Sequence, residues 1–250
     1  MNRFIILIPT FNEGESIVGL LQELEKFRER ERLPLDLLLI DDNSPDGTAE
    51  IVDNLQLPWV SIMRRSKKSG LGAAYRAGFA QVLAKNSYSQ IVTMDGDGSH
   101  RVEDLKPLIN AIKPGKSIVI GTRWIPGGGI VNWPKSRQLL SKMGTRYAKF
   151  ALKLDLNDLT GGYRIYSSEL LNSLNLKDMK ATGYCFQIEM AMAADLAGAV
   201  ATEVPITFVE RVDGVSKMTK AIVIEALLQI TRWGLSRRFR PNADKLHYVK

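Results

Sequence analysis

The apolar run Ile91-Val92-Thr93-Met94 stops at Asp95-Gly96-Asp97-Gly98, and this break constrains the chain more than any other feature. If the run is a buried strand, two carboxylates stand just past its C-terminal end. In open α/β sheets that edge is where ligands bind. Two hard oxygen ligands one residue apart, on glycine-loosened backbone, suit Mg²⁺ or Mn²⁺ carried by a diphosphate. Asp-Gly also favours ordinary polar turns, so the surroundings must decide.

Those surroundings repeat the pattern. Short apolar runs at Phe4–Ile8, Leu35–Ile40, Val60–Met63, Gln90–Met94 and Ser117–Ile120 read as strands. Helical patterns lie between them, near Glu15–Arg30, Thr48–Asn54, Leu71–Ala84 and Val102–Ile112. Strand–helix alternation predicts a mostly parallel central sheet with helices on both faces. Runs that are apolar throughout fit strands buried on both sides. The segment Ile125–Val131, with three consecutive glycines, is expected to be a mobile loop.

Composition narrows the function classes. At 250 residues and 45% hydrophobic, the chain can build one sizeable core. The formal charge of +7 fits an anionic partner, whether nucleic acid, membrane or phosphorylated substrate. One cysteine, Cys185, rules out an intrachain disulfide and points to a reducing, cytoplasmic setting. With His100 and His247 the only histidines, a zinc cluster is disfavoured. No stretch reaches the roughly 20 apolar residues of a membrane span.

The second half reads differently. Across Lys135–Leu154, Leu139, Leu140, Met143, Tyr147, Phe150, Ala151 and Leu154 recur at helical spacing. Lys142, Arg146, Lys149 and Lys153 form a stripe about 60° wide beside that face. Such a helix either packs on the core or lies on an anionic membrane surface. Thr219–Leu235 has a wide apolar arc followed by Arg237, Arg238 and Arg240. The layout predicts a domain over residues 1–218 and a C-terminal amphipathic helix with a basic tail over 219–250.

Several motifs carry chemistry. Pro9-Thr10-Phe11-Asn12-Glu13 follows the first strand, and Asp41-Asp42-Asn43-Ser44-Pro45-Asp46-Gly47-Thr48 the second. Ser44 or Asp46 is expected to cap the next helix. Asp41 and Asp42 have no evident core purpose, and either can accept hydrogen bonds from a base or a ribose. Lys67-Lys68-Ser69-Gly70-Leu71-Gly72 opens the third helix, where backbone amides favour phosphate. It lacks the spacing of a nucleotide P-loop. Single cations follow at Arg123, Arg137 and Arg164, and Arg211 and Lys217 flank a glycine turn that could clamp a phosphate.

In order, these motifs continue into Gly121-Thr122-Arg123, Asn132-Trp133-Pro134, Asp158-Leu159-Thr160-Gly161-Gly162-Tyr163-Arg164, Glu203-Val204-Pro205-Ile206 and Arg-x-x-Gly-x-Ser-Lys. Over roughly residues 3–220 the chain resembles the polyprenol (dolichyl) phosphate mannose synthases, inverting GT-A transferases of glycosyltransferase family 2. The resemblance implies a GT-A, Rossmann-like fold. It implies that Pro9, Phe11, Glu13, Ile40 and Asp42 hold the nucleoside. Asp95, Gly96 and Asp97 would face the diphosphate, with both aspartates on Mg²⁺ or Mn²⁺. Arg123, Arg211 and Lys217 would bind phosphates, and Arg137 and Ser141 would lie towards the acceptor phosphate. Phe11 stands where the family usually has Tyr, and Ser99 where some members have a metal-binding Gln.

The expected reaction is transfer of mannose from GDP-mannose to a polyprenyl phosphate with inversion. A phosphomonoester has its second pKa near 6 and is largely dianionic at neutral pH, so a strong general base is unnecessary. Cations must instead hold two anionic substrates together. The rivals are transfer of glucose or another sugar, and a non-catalytic protein that binds nucleotide sugars or nucleic acid. Nucleic acid is disfavoured because the basic residues lack interleaved aromatics. A lipid acceptor implies a peripheral position at the cytoplasmic face of a membrane, reached directly or through an anchoring protein partner.

Overall fold

The computed structural model describes residues 3–210 and 220–250. A seven-stranded sheet is formed by β1 (Phe4–Thr10), β2 (Leu35–Asp41), β3 (Val60–Arg64), β4 (Gln90–Thr93), β5 (Ser117–Thr122), β7 (Arg164–Ser167) and β8 (Val200–Pro205). Their spatial order is β3-β2-β1-β4-β7-β5-β8. All run parallel except β7, which is inserted antiparallel between β4 and β5. Helices α1 (Gly14–Glu31), α2 (Thr48–Asn54), α3 (Leu71–Lys85) and α4 (Leu105–Asn110) supply the crossovers of the first half.

The inner strands β1, β2, β4 and β5 bury both faces, as their apolar character requires, while the edge strands β3 and β8 stay partly exposed. In β1, Phe4, Ile6 and Ile8 enter one hydrophobic cluster, with Ile17, Leu21, Leu24 and Phe27 of α1. Ile5 and Leu7 enter the other, with Tyr75 and Phe79 of α3. This is the doubly covered sheet that the alternation predicts.

Two features depart from expectation. The glycine segment 125–131 is not a loop throughout. Its last residues form β6 (Gly129–Val131), paired in parallel with β9 (Thr207–Val209). Gly128 permits this, since a Cβ there would lie 2.7 Å from the Thr122 carbonyl oxygen. The other is β7 itself, whose first residue is the fully buried Arg164. Its guanidinium donates to the carbonyls of Gly161, Gln187 and Leu159, so a charged residue is accommodated inside the sheet.

The remaining helices are α5 (Lys135–Leu152), α6 (Ser168–Ser173), α7 (Gly183–Leu196), α8 (Lys220–Phe239) and α9 (Pro241–Tyr248). Helix α8 packs on α5 so closely that a Cβ at Gly234 would sit 2.7 Å from the Ala151 carbonyl. Ile230, Trp233 and Tyr248 join the main hydrophobic cluster. These three residues anchor α8 and α9 to the core, while Ile224, Leu228, Leu235, Phe239 and Leu246 stay exposed. Among the described residues no helix is long and apolar enough to cross a membrane.

Candidate active site

The sheet brings the C-terminal ends of β1, β2, β4 and β5 and the start of β7 to one edge. A cleft of about 500 Å³ opens there. Pro9, Phe11, Glu13, Asp42, Asp95, Gly96, Asp97, Arg123 and Arg137 all line it. Residues more than a hundred positions apart thus meet because each lies just past a strand end or at a helix start.

The Asp95–Gly96–Asp97 turn is held from three sides. Gly96 presses against β1, where a Cβ would lie 3.0 Å from Ile8 Cγ2. Ser16 Oγ, in the first turn of α1, donates to the Gly96 carbonyl at 3.0 Å. The Asp95 amide donates to His100 Nδ1 at 3.1 Å. His100 is buried, stacked on Tyr163 at 4.9 Å, with Nε2 3.7 Å from the Asp95 carboxylate. His100 therefore shapes the turn. With Nδ1 accepting, the ring proton sits on Nε2, facing the carboxylate. The Asp95 side chain stays 33% exposed.

Among the described residues no three His, Cys, Asp or Glu side chains converge tightly enough to cage a metal by themselves. Two carboxylates separated by glycine still fit Mg²⁺ or Mn²⁺, because such ions take one or two protein carboxylates and complete their shell with water and substrate phosphate.

The nucleoside side of the cleft is more structural than the motifs suggest. Asp41 is buried and fully engaged, accepting from Thr10 Oγ1, Ser44 N and Ser44 Oγ. It locks β1 to the β2 turn. Asp42 lines the cleft but pairs with Arg65 and accepts from Ser69 N. Asp46 caps across the turn, accepting from Gly14 N at 2.9 Å and from Thr48 N at 3.0 Å. Burial works against that carboxylate, but the bonds from Thr48 and Gly14 hold its pKa below the ordinary value. Ile40 is not among the residues lining the cleft: its side chain is fully buried and packs against the Gly78 position of α3.

The opposite wall is cationic and aromatic. Arg123 forms a buried fork with Asp158, at 2.6 Å from Nε and 2.8 Å from Nη2. Nη2 also donates to Thr160 Oγ1. Burial alone would raise the Asp158 carboxyl, but the Arg123 guanidinium holds it below the usual range. Arg137, in the first turn of α5, donates from Nη1 to both oxygens of Glu210 at 2.5 Å. Both arginines are thus already paired, which spacing alone did not reveal. Ser141 lies one turn beyond Arg137 on α5 and is not among the residues lining the cleft. Arg211 and Lys217 lie outside the described residues.

Lys68, of the Lys67–Gly72 motif, holds its ammonium 3.7 Å from the Phe11 ring centroid, a cation–π contact. Sequence reasoning missed other lining residues. Thr182, Gly183 and Cys185 come from the start of α7. Burial pushes the Cys185 thiol up to about 11, so it forms neutral wall. Glu225 of α8 also reaches the cleft, which places the C-terminal helices at its rim. No strand-end motif marks these residues; only the fold brings them in.

The fold and its acidic turn are those of a glycosyl transferase, and the chain belongs to glycosyl transferase family 2, whose family model matches residues 5–174. It is 42% identical over 243 residues to the polyprenol monophosphomannose synthase of Mycolicibacterium smegmatis, covering 94% of this chain and 88% of that one. It is 43% identical over 240 residues to the undecaprenyl-phosphate mannosyltransferase of Micrococcus luteus, covering 95% and 96%. Among solved structures it resembles mannosyl-3-phosphoglycerate synthase from Rubrobacter xylanophilus, with a TM-score of 0.65 at 19% identity, covering 97% of this chain and 75% of that one. It also resembles glucosyl-3-phosphoglycerate synthase from Mycobacterium tuberculosis in complex with Mn²⁺, UDP and phosphoglyceric acid. There the TM-score is 0.67 at 16% identity, covering 97% and 80%. These two likenesses concern the fold, which is GT-A.

Proposed function

We propose that this chain transfers mannose from GDP-mannose to a polyprenyl phosphate with inversion. Identity of 42–43% along almost the whole length to two polyprenyl-phosphate mannose transferases carries the reading. The cleft supports it: an acidic turn faces a wall with two arginines, the arrangement two anionic substrates require.

Pro9, Phe11, Glu13 and Asp42 would hold the nucleoside. Asp95 and Asp97 would hold Mg²⁺ or Mn²⁺ against the diphosphate, as the Mn²⁺ complex of the glucosyl-3-phosphoglycerate synthase suggests for this fold. The bound ion would supply Lewis-acid neutralisation of the departing diphosphate. Arg123, Arg211 and Lys217 would face the donor phosphates, and Arg137 and Ser141 the acceptor phosphate. An acceptor phosphate oxygen attacks the sugar C1 as the bond from C1 to the diphosphate oxygen breaks, with its electron pair leaving on the nucleoside diphosphate. The attacking oxygen is already ionised, so no side chain need remove a proton. Asp158 and Glu210 keep the two arginines oriented before substrate arrives.

The acceptor is a lipid, and the two helices that reach the cleft, α5 and α8, carry exposed apolar surface. Leu139, Leu140, Met143 and Phe150 of α5 and Ile224, Leu228 and Phe239 of α8 are exposed. Lys142 and Arg146 flank the α5 residues. We infer a peripheral position on an anionic, cytoplasmic membrane face.

Labelled transfer to a short polyprenyl phosphate, run with GDP-mannose, GDP-glucose and UDP-glucose, tests the reading. The expected result is product from GDP-mannose at least about tenfold faster than from either glucose donor. Preference for a glucose donor would move the chain to the rival sugar. No transfer from any donor would remove it from this reaction class.

A further inference from the structure

Both arginines of the cationic wall contact one indole. The Arg123 guanidinium carbon is 5.4 Å from the Trp133 ring centroid, and that of Arg137 is 4.0 Å from it. Phe208 packs edge-on against the indole at 5.5 Å and also meets Arg123 at 5.6 Å. Each guanidinium that meets the indole is also paired with a carboxylate, Arg123 with Asp158 and Arg137 with Glu210.

We propose that Trp133 is a positioning residue that sets the spacing between the donor-side and acceptor-side guanidiniums. This deepens, and rests on, the reading that Arg123 faces the donor and Arg137 the acceptor. Two guanidiniums held near one another repel, and an aromatic face attracts both while keeping water out. The two are not equally dependent on it. Arg123 is locked by its fork to Asp158 and a further bond to Thr160. Arg137 is hydrogen-bonded through Nη1 alone, and its buried Nε has no partner among the described residues. The indole therefore fixes the plane of Arg137 more than that of Arg123. Losing it should loosen the acceptor site and spare the donor site.

Trp133→Leu and Trp133→Phe test this in the full chain. The probes are a short polyprenyl phosphate and GDP with Mg²⁺, each measured by equilibrium binding alongside steady-state transfer. Trp133 is only half-buried, and a thermal melt confirms folding. In Trp133→Leu the Kd and KM for the lipid phosphate should rise about tenfold, the scale of a lost cation–π contact beside a charged ligand. GDP binding should stay within about twofold, and Trp133→Phe should recover most of the loss. Unchanged lipid-phosphate binding in Trp133→Leu would overturn the proposal. So would an equal loss of GDP binding, or a Phe variant as weak as Leu. If wild type binds both probes but transfers no mannose, the proposed reaction fails, while the binding comparison still decides the role of Trp133.

Discussion

Helices α1 and α5 are each 18 residues long and each amphipathic, yet they spend their apolar faces in opposite ways. Helix α1 buries Ile17, Leu20, Leu21, Leu24 and Phe27 under the donor half of the sheet. Helix α5 buries only Thr145, Ala148 and Leu152 and leaves Leu139, Leu140, Met143 and Phe150 exposed. The close approach of α5 and α8 runs through Ala151 and Gly234, while Leu139, Leu140, Met143 and Phe150 stay exposed. An amphipathic pattern therefore reports that a helix has an apolar face and not what covers it. The half assigned to the nucleotide-sugar donor is covered by the chain itself. The half assigned to a lipid acceptor is left open.

The sharpest break of that contrast is one substitution made twice. Phe27 is 1% exposed and Phe150 is 84% exposed. Phe27→Ala should cost about 3–5 kcal/mol in denaturant unfolding, from lost transfer energy and the cavity left behind. Phe150→Ala should stay within about 0.5 kcal/mol. Comparable losses would mean that the α5 face is core after all.

Charge sharpens the contrast next. Reversing Lys142, Arg146 and Lys149 to Glu should lower sedimentation with anionic vesicles by roughly a hundredfold, at about 1 kcal/mol per charge near the surface. Lys26→Glu on α1 should leave it unchanged. Neutral vesicles should bind neither form, and high salt should release the wild type. Equal binding to neutral vesicles, or none to either, would assign delivery to another surface or to an anchoring protein.

A smaller effect separates the two sides of the cleft. Arg137→Ala should raise KM for the polyprenyl phosphate about tenfold while moving that for the sugar nucleotide less than about twofold, the scale of one charge-assisted contact. Arg211→Ala and Lys217→Ala should instead lower kcat. Wild-type kinetics in all three would remove the proposed clamp.

The same contrast explains what could be read from the sequence. Strands β1, β2, β4 and β5 are legible because parallel strands buried on both faces must be largely apolar, and the edge strand β3 is legible as a shorter apolar run. The acidic turn is legible because two carboxylates after such a run have no core use. Strand β7 is hidden because Arg164 looks like a surface residue until three carbonyls are brought around it. Strand β6 is hidden because glycine-rich sequence announces freedom and not the close approach of Gly128 to Thr122. The partners of Arg123 and Arg137 lie 35 and 73 positions away, a separation no local pattern spans. Ile40 stands at a strand end, as its motif suggests, with its side chain buried in the core, which strand position alone does not reveal.

The central claim is that the Asp95–Asp97 turn holds a divalent ion for transfer of mannose to a lipid phosphate. It is tested by following label from GDP-mannose into polyprenyl phosphate mannose after EDTA treatment and again after metal is restored. The account predicts no product in EDTA, recovery with Mg²⁺ or Mn²⁺, and at least about a hundredfold loss in folded Asp95→Asn and Asp97→Asn even with metal present. Full turnover in EDTA, or wild-type rates in either variant, would contradict it.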